Sequence, residues 1–107
     1  MSTNYVGILM YDFPMQTGKE KKEYAKFRKE IIRKGYYQVQ KSVYIVSSST
    51  KEKIISYENQ LSMIVPENSS VRTLILTEDQ FKKMKILSGE ITIGEKIIRK
   101  ETKILEY

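Results

Sequence analysis

One carboxylate stands where an apolar run stops. In Ile8-Leu9-Met10-Tyr11-Asp12-Phe13-Pro14 the acid follows residues that read as a buried strand. A carboxylate in that place has two uses. It can bond to nearby backbone N–H groups and start the turn, or it can ligate a hard cation. Magnesium takes one or two carboxylates, with waters and substrate phosphate completing its shell, so a single Asp12 is a small donor set. A two-fold dimer with the strand ends near its axis would bring two copies of Asp12 face to face. Two close carboxylates repel, and a shared proton or a cation relieves that. A cation held there polarises a phosphate or activates a water. The residues alone leave both readings open.

The second constellation is basic. Lys22, Lys26, Lys29 and Arg33 follow one another at helical spacing. At about 100° per residue they share one narrow stripe. The acids of the same segment, Glu20, Glu23 and Glu30, fall elsewhere on the wheel. Such a stripe is either a solvated helix face supported by Glu–Lys pairs or a track for a phosphate backbone. Without a base-reading motif, binding through it would be largely blind to sequence. Arg28 breaks the pattern, because it falls among the apolar positions and faces inward. It either lays its stem over the sheet or reaches a carboxylate or phosphate near the strand ends.

The composition removes other chemistries. Among the 107 residues there is no cysteine and no histidine. Disulfides, thiolate metal sites and serine–histidine or cysteine–histidine catalysis are therefore excluded. Any metal would be a hard ion on oxygen ligands: magnesium, manganese or calcium. With 19 basic and 13 acidic residues the net charge is +6, which favours an anionic partner such as nucleic acid. No apolar stretch approaches the ~20 residues that span a bilayer. The start has no signal-peptide pattern, and a cytoplasmic location is expected.

These residues need elements to position them. Tyr5 to Tyr11 reads as a central strand. Lys19 to Lys34 reads as a helix with Tyr24, Phe27 and Ile31 inward, ended by Gly35. Tyr36 to Ser47 is rich in Tyr, Val and Ile and reads as two strands with a corner at Gln40-Lys41-Ser42. Ser49-x-x-Glu52 has the form of a capping box, so a helix is expected near Thr50, with Ile54, Tyr57, Leu61 and Ile64 buried. Val71 to Leu76 is the next strand. Thr77-Glu78-Asp79-Gln80 opens a short helix that buries Phe81 and Met84. The order strand, helix, strand, strand, helix, strand is that of an α+β, ferredoxin-like βαββαβ sandwich. Residues 1–90 form this domain. Residues 91–107 read as a tail or late strand whose apolar pairs, Ile97-Ile98 and Ile104-Leu105, need a surface beyond their own core.

An ordered set of segments carries a resemblance: "MYDFP", then "KFRKEIIRKGYYQVQKSVYIVSS", then "VRTLILTEDQFKKMKILSGE". In order and spacing, over roughly residues 5 to 90, the chain resembles the small adaptation subunit of CRISPR systems, CRISPR-associated protein two, most like subunits of type II systems. The resemblance implies a symmetric homodimer joined through its sheets. It implies a place between dimers of the adaptation integrase, CRISPR-associated protein one, in an assembly that captures double-stranded DNA and inserts it as a spacer. It also implies a metal-dependent endonuclease activity in some members, with magnesium or manganese on the first-strand aspartate, here Asp12. The DNA-binding surface would be the stripe Lys22, Lys26, Lys29 and Arg33, with Arg28 beside it. The tail, through Ile97, Ile98, Ile104 and Leu105, would meet the dimer partner or the integrase.

There is one departure. Many members carry a basic residue shortly before the glutamine of the Q-x-S-V motif, where this chain has Tyr37, Gln38 and Val39. That removes a phosphate contact and weakens the nuclease expectation. Three functions stay in play: a duplex-holding scaffold, a magnesium-dependent phosphodiesterase, and a VapD-like ribonuclease toxin on the same fold.

Overall fold

The structure is a computed structural model, and it describes residues 4–99, Arg99 by backbone alone. Its elements run β1 (Tyr5–Asp12), α1 (Gly18–Arg33), β2 (Tyr37–Gln40), β3 (Val43–Ser48), α2 (Lys51–Ser62), β4 (Ser70–Thr77), α3 (Glu78–Lys82) and α4 (Ile93–Arg99). The four strands form one antiparallel sheet in the order β2-β3-β1-β4. With the two long helices on one face, this is the expected ferredoxin-like arrangement.

Strand alternation divides the residues between two cores. Leu9 and Tyr11 of β1, with Tyr44 and Val46 of β3, face α1 and α2 and pack on Phe27, Ile31, Ile54 and Leu61. Val6 and Ile45 point the other way, into a smaller core with Phe81 of α3 and Ile98 of α4. Gly94 lets α4 lie on the sheet: a Cβ there would sit 2.4 Å from the Tyr37 Cβ, so no larger residue fits unless the helix moves.

The helix starts are set by caps. Thr17 accepts from Glu20 N–H while Glu20 accepts from Thr17 N–H, and the backbone bond from Thr17 holds the Glu20 carboxyl below the usual carboxylate range. Thr77 and Gln80 repeat this box at α3. At α2 the expected Ser49–Glu52 box is absent. The cap is Thr50, whose hydroxyl accepts from Lys53 N–H at 3.3 Å. The corner between β2 and β3 falls at Lys41 and Ser42, and the ladder is bulged between Gln38 and Gln40.

The greatest difference from expectation lies after residue 90. Residues 93–99 form a helix, not a tail strand. Thr92 caps it: its hydroxyl accepts from Glu95 N–H, and Glu95 in return accepts from Thr92 N–H. The period of these residues is helical, with Glu95 and Ile98 inward and Lys96 and Ile97 outward. The pair Ile97-Ile98 in a polar stretch reads as strand because the core that Ile98 enters, Val6, Ile45 and Phe81, is remote in sequence. Met84 and Ile64, expected inside, are exposed.

Candidate nucleic-acid interface and metal site

Asp12 ends β1 on the face opposite α1 and α2. Its neighbours on that face follow from the register: Ile8 lies opposite Leu74, Met10 opposite Arg72, and Asp12 opposite Ser70. The carboxylate is exposed. Among the described residues it has no hydrogen bond to a turn N–H and no ion pair. The turn-starting use of Asp12 therefore has no bond behind it, and both oxygens are open to a ligand. No group of three acids that could hold a metal exists among the described residues. One copy thus offers a single free carboxylate, which fits magnesium only as part of a paired or substrate-completed shell.

Behind Asp12, on the helix side, the strand end is braced by aromatic rings. Tyr11 stacks on Tyr44 at 5.8 Å and meets Phe13 at 4.6 Å, with Tyr24 and Phe27 closing the cluster. The Tyr11 and Tyr24 hydroxyls share a 2.8 Å hydrogen bond. Burial, then the bond to Tyr24, pushes the Tyr11 hydroxyl well above its ordinary range. Arg28 belongs to this cluster: its Nε donates to the Tyr44 hydroxyl at 3.0 Å. It faces the sheet, as its place among apolar positions indicates, and satisfies a hydroxyl on a fully buried ring. That bond draws the Arg28 guanidinium toward the tyrosines, while the residue itself stays exposed.

Lys22, Lys26, Lys29 and Arg33 are all exposed along α1. The first three have no ion-pair partner among the described residues, while Arg33 donates to Glu30 at 3.1 Å. Glu30 also approaches Lys34, at 3.9 Å. The acid that the wheel sets aside thus bends over to the C-terminal end of the stripe, leaving three lysines unpaired among the described residues.

The apolar residues expected to meet a partner separate. Ile97 is 55 % exposed, so it is open to a partner, whereas Ile98 is 3 % exposed and fills the chain's own second core. Assigning Ile98 to a partner interface is corrected on that ground. Ile104 and Leu105 lie outside the described residues.

Two features escape sequence reasoning. The end of the second face that α3 and α4 leave uncovered is apolar: Ile8, Met10, Val43 and Leu74 line a groove of about 840 Å³ with Met84 and Leu87. Arg72 is the other. It shares its side of β4 with Leu74 and Leu76, and period-two counting along "VRTLIL" would have marked it as a charge on an apolar side.

The profile of the family described as CRISPR associated protein Cas2 matches residues 4–84. Over 91 residues the chain is 41 % identical to a protein of Campylobacter jejuni named CRISPR-associated endoribonuclease Cas2. That match takes in 84 % of this chain and 63 % of the relative, so the chain spans less than two thirds of that protein. A protein of the same name from Ligilactobacillus salivarius is 36 % identical over 83 residues, 78 % of this chain and 82 % of the relative. The crystal structure of Streptococcus pyogenes Cas2 at pH 6.5 superposes with a TM-score of 0.59 at 22 % identity, over 78 % of this chain and 99 % of that one. At that identity the superposition speaks for the fold. Among the described residues no helix is long and apolar enough to cross a membrane. The matched profile, which ends at Met84 just past α3, and the shared fold place this chain in the CRISPR associated protein Cas2 family.

Proposed function

We propose that this chain acts in CRISPR adaptation as a basic homodimer that holds double-stranded DNA for the integrase. The observation that carries this reading is the run of three exposed lysines on α1, Lys22, Lys26 and Lys29, unpaired among the described residues. Lysines at that spacing match phosphates along a backbone and release counterions on binding, without reading bases. The dimer is supported by the open sheet face. Antiparallel sheets usually turn polar residues to water, but here Met10 and Leu74 are 39 % and 51 % exposed beside Ile8 and Val43. A second copy seated on that face would cover them.

The same packing brings two copies of Asp12 toward one another. Magnesium, or manganese in its place, would be held by that pair and would supply charge neutralisation and polarisation of a phosphate. The aromatic brace of Tyr11, Phe13, Tyr24 and Tyr44 fixes the strand end that carries the carboxylate.

A second reading is a metal-dependent ribonuclease. Two observations favour it: the relatives are named endoribonucleases, and among the described residues Asp12 makes no turn bond. The test compares wild type with Asp12→Ala on duplex DNA and on single-stranded RNA, with magnesium and with a chelator. Scaffolding predicts duplex binding that survives both the substitution and chelation. Cleavage of RNA that needs metal and disappears in Asp12→Ala would put the ribonuclease reading first.

A further inference from the structure

Arg72 sits at the open end of the second face, in line with Leu74 and Leu76 and one register step from Asp12. Met10 lies opposite Arg72 and Asp12 opposite Ser70, so Asp12 and Arg72 are diagonal neighbours on one side of the sheet. Diagonal positions across antiparallel strands lie about 7–8 Å apart. An arginine side chain is long enough to close that gap. Yet Arg72 is exposed, and no ion pair or hydrogen bond joins it to Asp12 or to any other described residue. An arginine on an apolar stripe beside a free carboxylate, with neither satisfying the other, leaves room for a group that takes both. A phosphodiester is such a group. Its oxygens accept a guanidinium fork and can share a hard cation with a carboxylate.

We infer that Arg72 is the anion anchor of the Asp12 site, holding a phosphodiester by its guanidinium while Asp12 addresses the same phosphate through a divalent cation. The inference rests on the reading of Asp12 as a cation ligand, and it adds the residue that would position the substrate. Arg72 touches the non-bridging oxygens and moves no proton, so its contribution is orientation and charge.

The test measures two bindings on the full chain, in wild type, Arg72→Gln, Arg72→Lys and Asp12→Asn. Calorimetry follows magnesium alone. Arginine Nε–H resonances in nuclear magnetic resonance follow the deoxydinucleotide TpT, with and without magnesium. In wild type the Arg72 Nε–H signal should move saturably with TpT. Arg72→Gln should weaken TpT at least tenfold, and Arg72→Lys should recover part of that by charge without the fork. The same Arg72→Gln change should tighten magnesium by about two- to fivefold, because a positive charge that repels the cation is gone. Opposite shifts in the two affinities are what an anchor produces and a structural role does not. Unchanged TpT affinity in Arg72→Gln overturns the inference. So does equal weakening of both ligands together with loss of the dimer. Magnesium binding that is absent, or indifferent to Asp12→Asn, overturns the cation reading separately; the TpT titration without magnesium then still decides whether Arg72 anchors the phosphate.

Discussion

Replacing Lys22, Lys26 and Lys29 together with glutamine should change how duplex affinity depends on salt. These three lysines are exposed and unpaired among the described residues, so each can release one counterion when it meets a phosphate. Two copies in a dimer present about six such contacts, which gives a slope of log affinity against log salt near −5. Between 50 and 200 mM salt, affinity should then fall about a thousandfold in wild type. The triple variant should lose most of that slope. Arg33 supplies an internal control. Its guanidinium lies 3.1 Å from Glu30, so the pair is already close to neutral. Arg33→Gln should therefore alter the slope by less than any single lysine does. Fluorescence anisotropy with a labelled duplex of mixed sequence, at four or five salt concentrations, measures this. A triple variant with the wild-type slope would refute the assignment of the stripe to the backbone, and an Arg33→Gln effect larger than a lysine's would refute the pairing argument.

Further outcomes follow from the packing. Above pH 10 the protein should lose stability steadily. The Tyr11 and Tyr36 hydroxyls are both pushed up from their ordinary value of 10.0, each mainly by burial, so the unfolded chain releases protons there that the folded chain retains. Stability is full below the unfolded value and declines above it, by up to about 1.4 kcal/mol per pH unit for each group. Urea melts between pH 8 and 11 check this, and a flat midpoint would contradict it. Gly94→Ala should lift α4 from β2, since the new Cβ meets the Tyr37 Cβ at 2.4 Å. Hydrogen exchange should rise over residues 93–98 while α1 and α2 stay protected; uniform protection would contradict the close approach. In chelator, Asp12→Asn should tighten the dimer about fivefold by removing a like-charge repulsion on the order of 1 kcal/mol. Weaker association in analytical ultracentrifugation would show that the carboxylates do not face each other.

Local signals made much of this legible. The strand read at Tyr5 to Tyr11, the helix read at Lys19 to Lys34 and the cap at Thr77 follow from period, capping residues and Pro14 beyond the strand, all short-range effects. They meet the observed Tyr5–Asp12, Gly18–Arg33 and the start of α3 closely, while the Thr17 cap escapes that reading. The lean of Arg28 toward the sheet is visible for the same reason, although its exposure and its partner Tyr44 are not, because the helical wheel gives direction without naming what is met. The misses have two causes, contacts distant in sequence and the reach of side chains within one helix. Ile98 is held by Val6 and Phe81, and Glu30 turns to Arg33 through side-chain reach that a wheel does not represent. Arg72 becomes visible as a neighbour of Asp12 only once β1 and β4 are in register. Asp12 itself is legible as an exposed acid at a strand end. Its freedom from the turn needs coordinates.

The most direct test of the account is spacer integration reconstituted with the cognate integrase, comparing wild type, Asp12→Ala and the Lys22, Lys26 and Lys29 triple variant. A duplex-holding subunit predicts that Asp12→Ala supports integration like wild type, whereas the triple variant fails while still forming dimer and complex. Integration at the wild-type rate by the triple variant, or its loss in a properly assembled Asp12→Ala complex, would contradict that account.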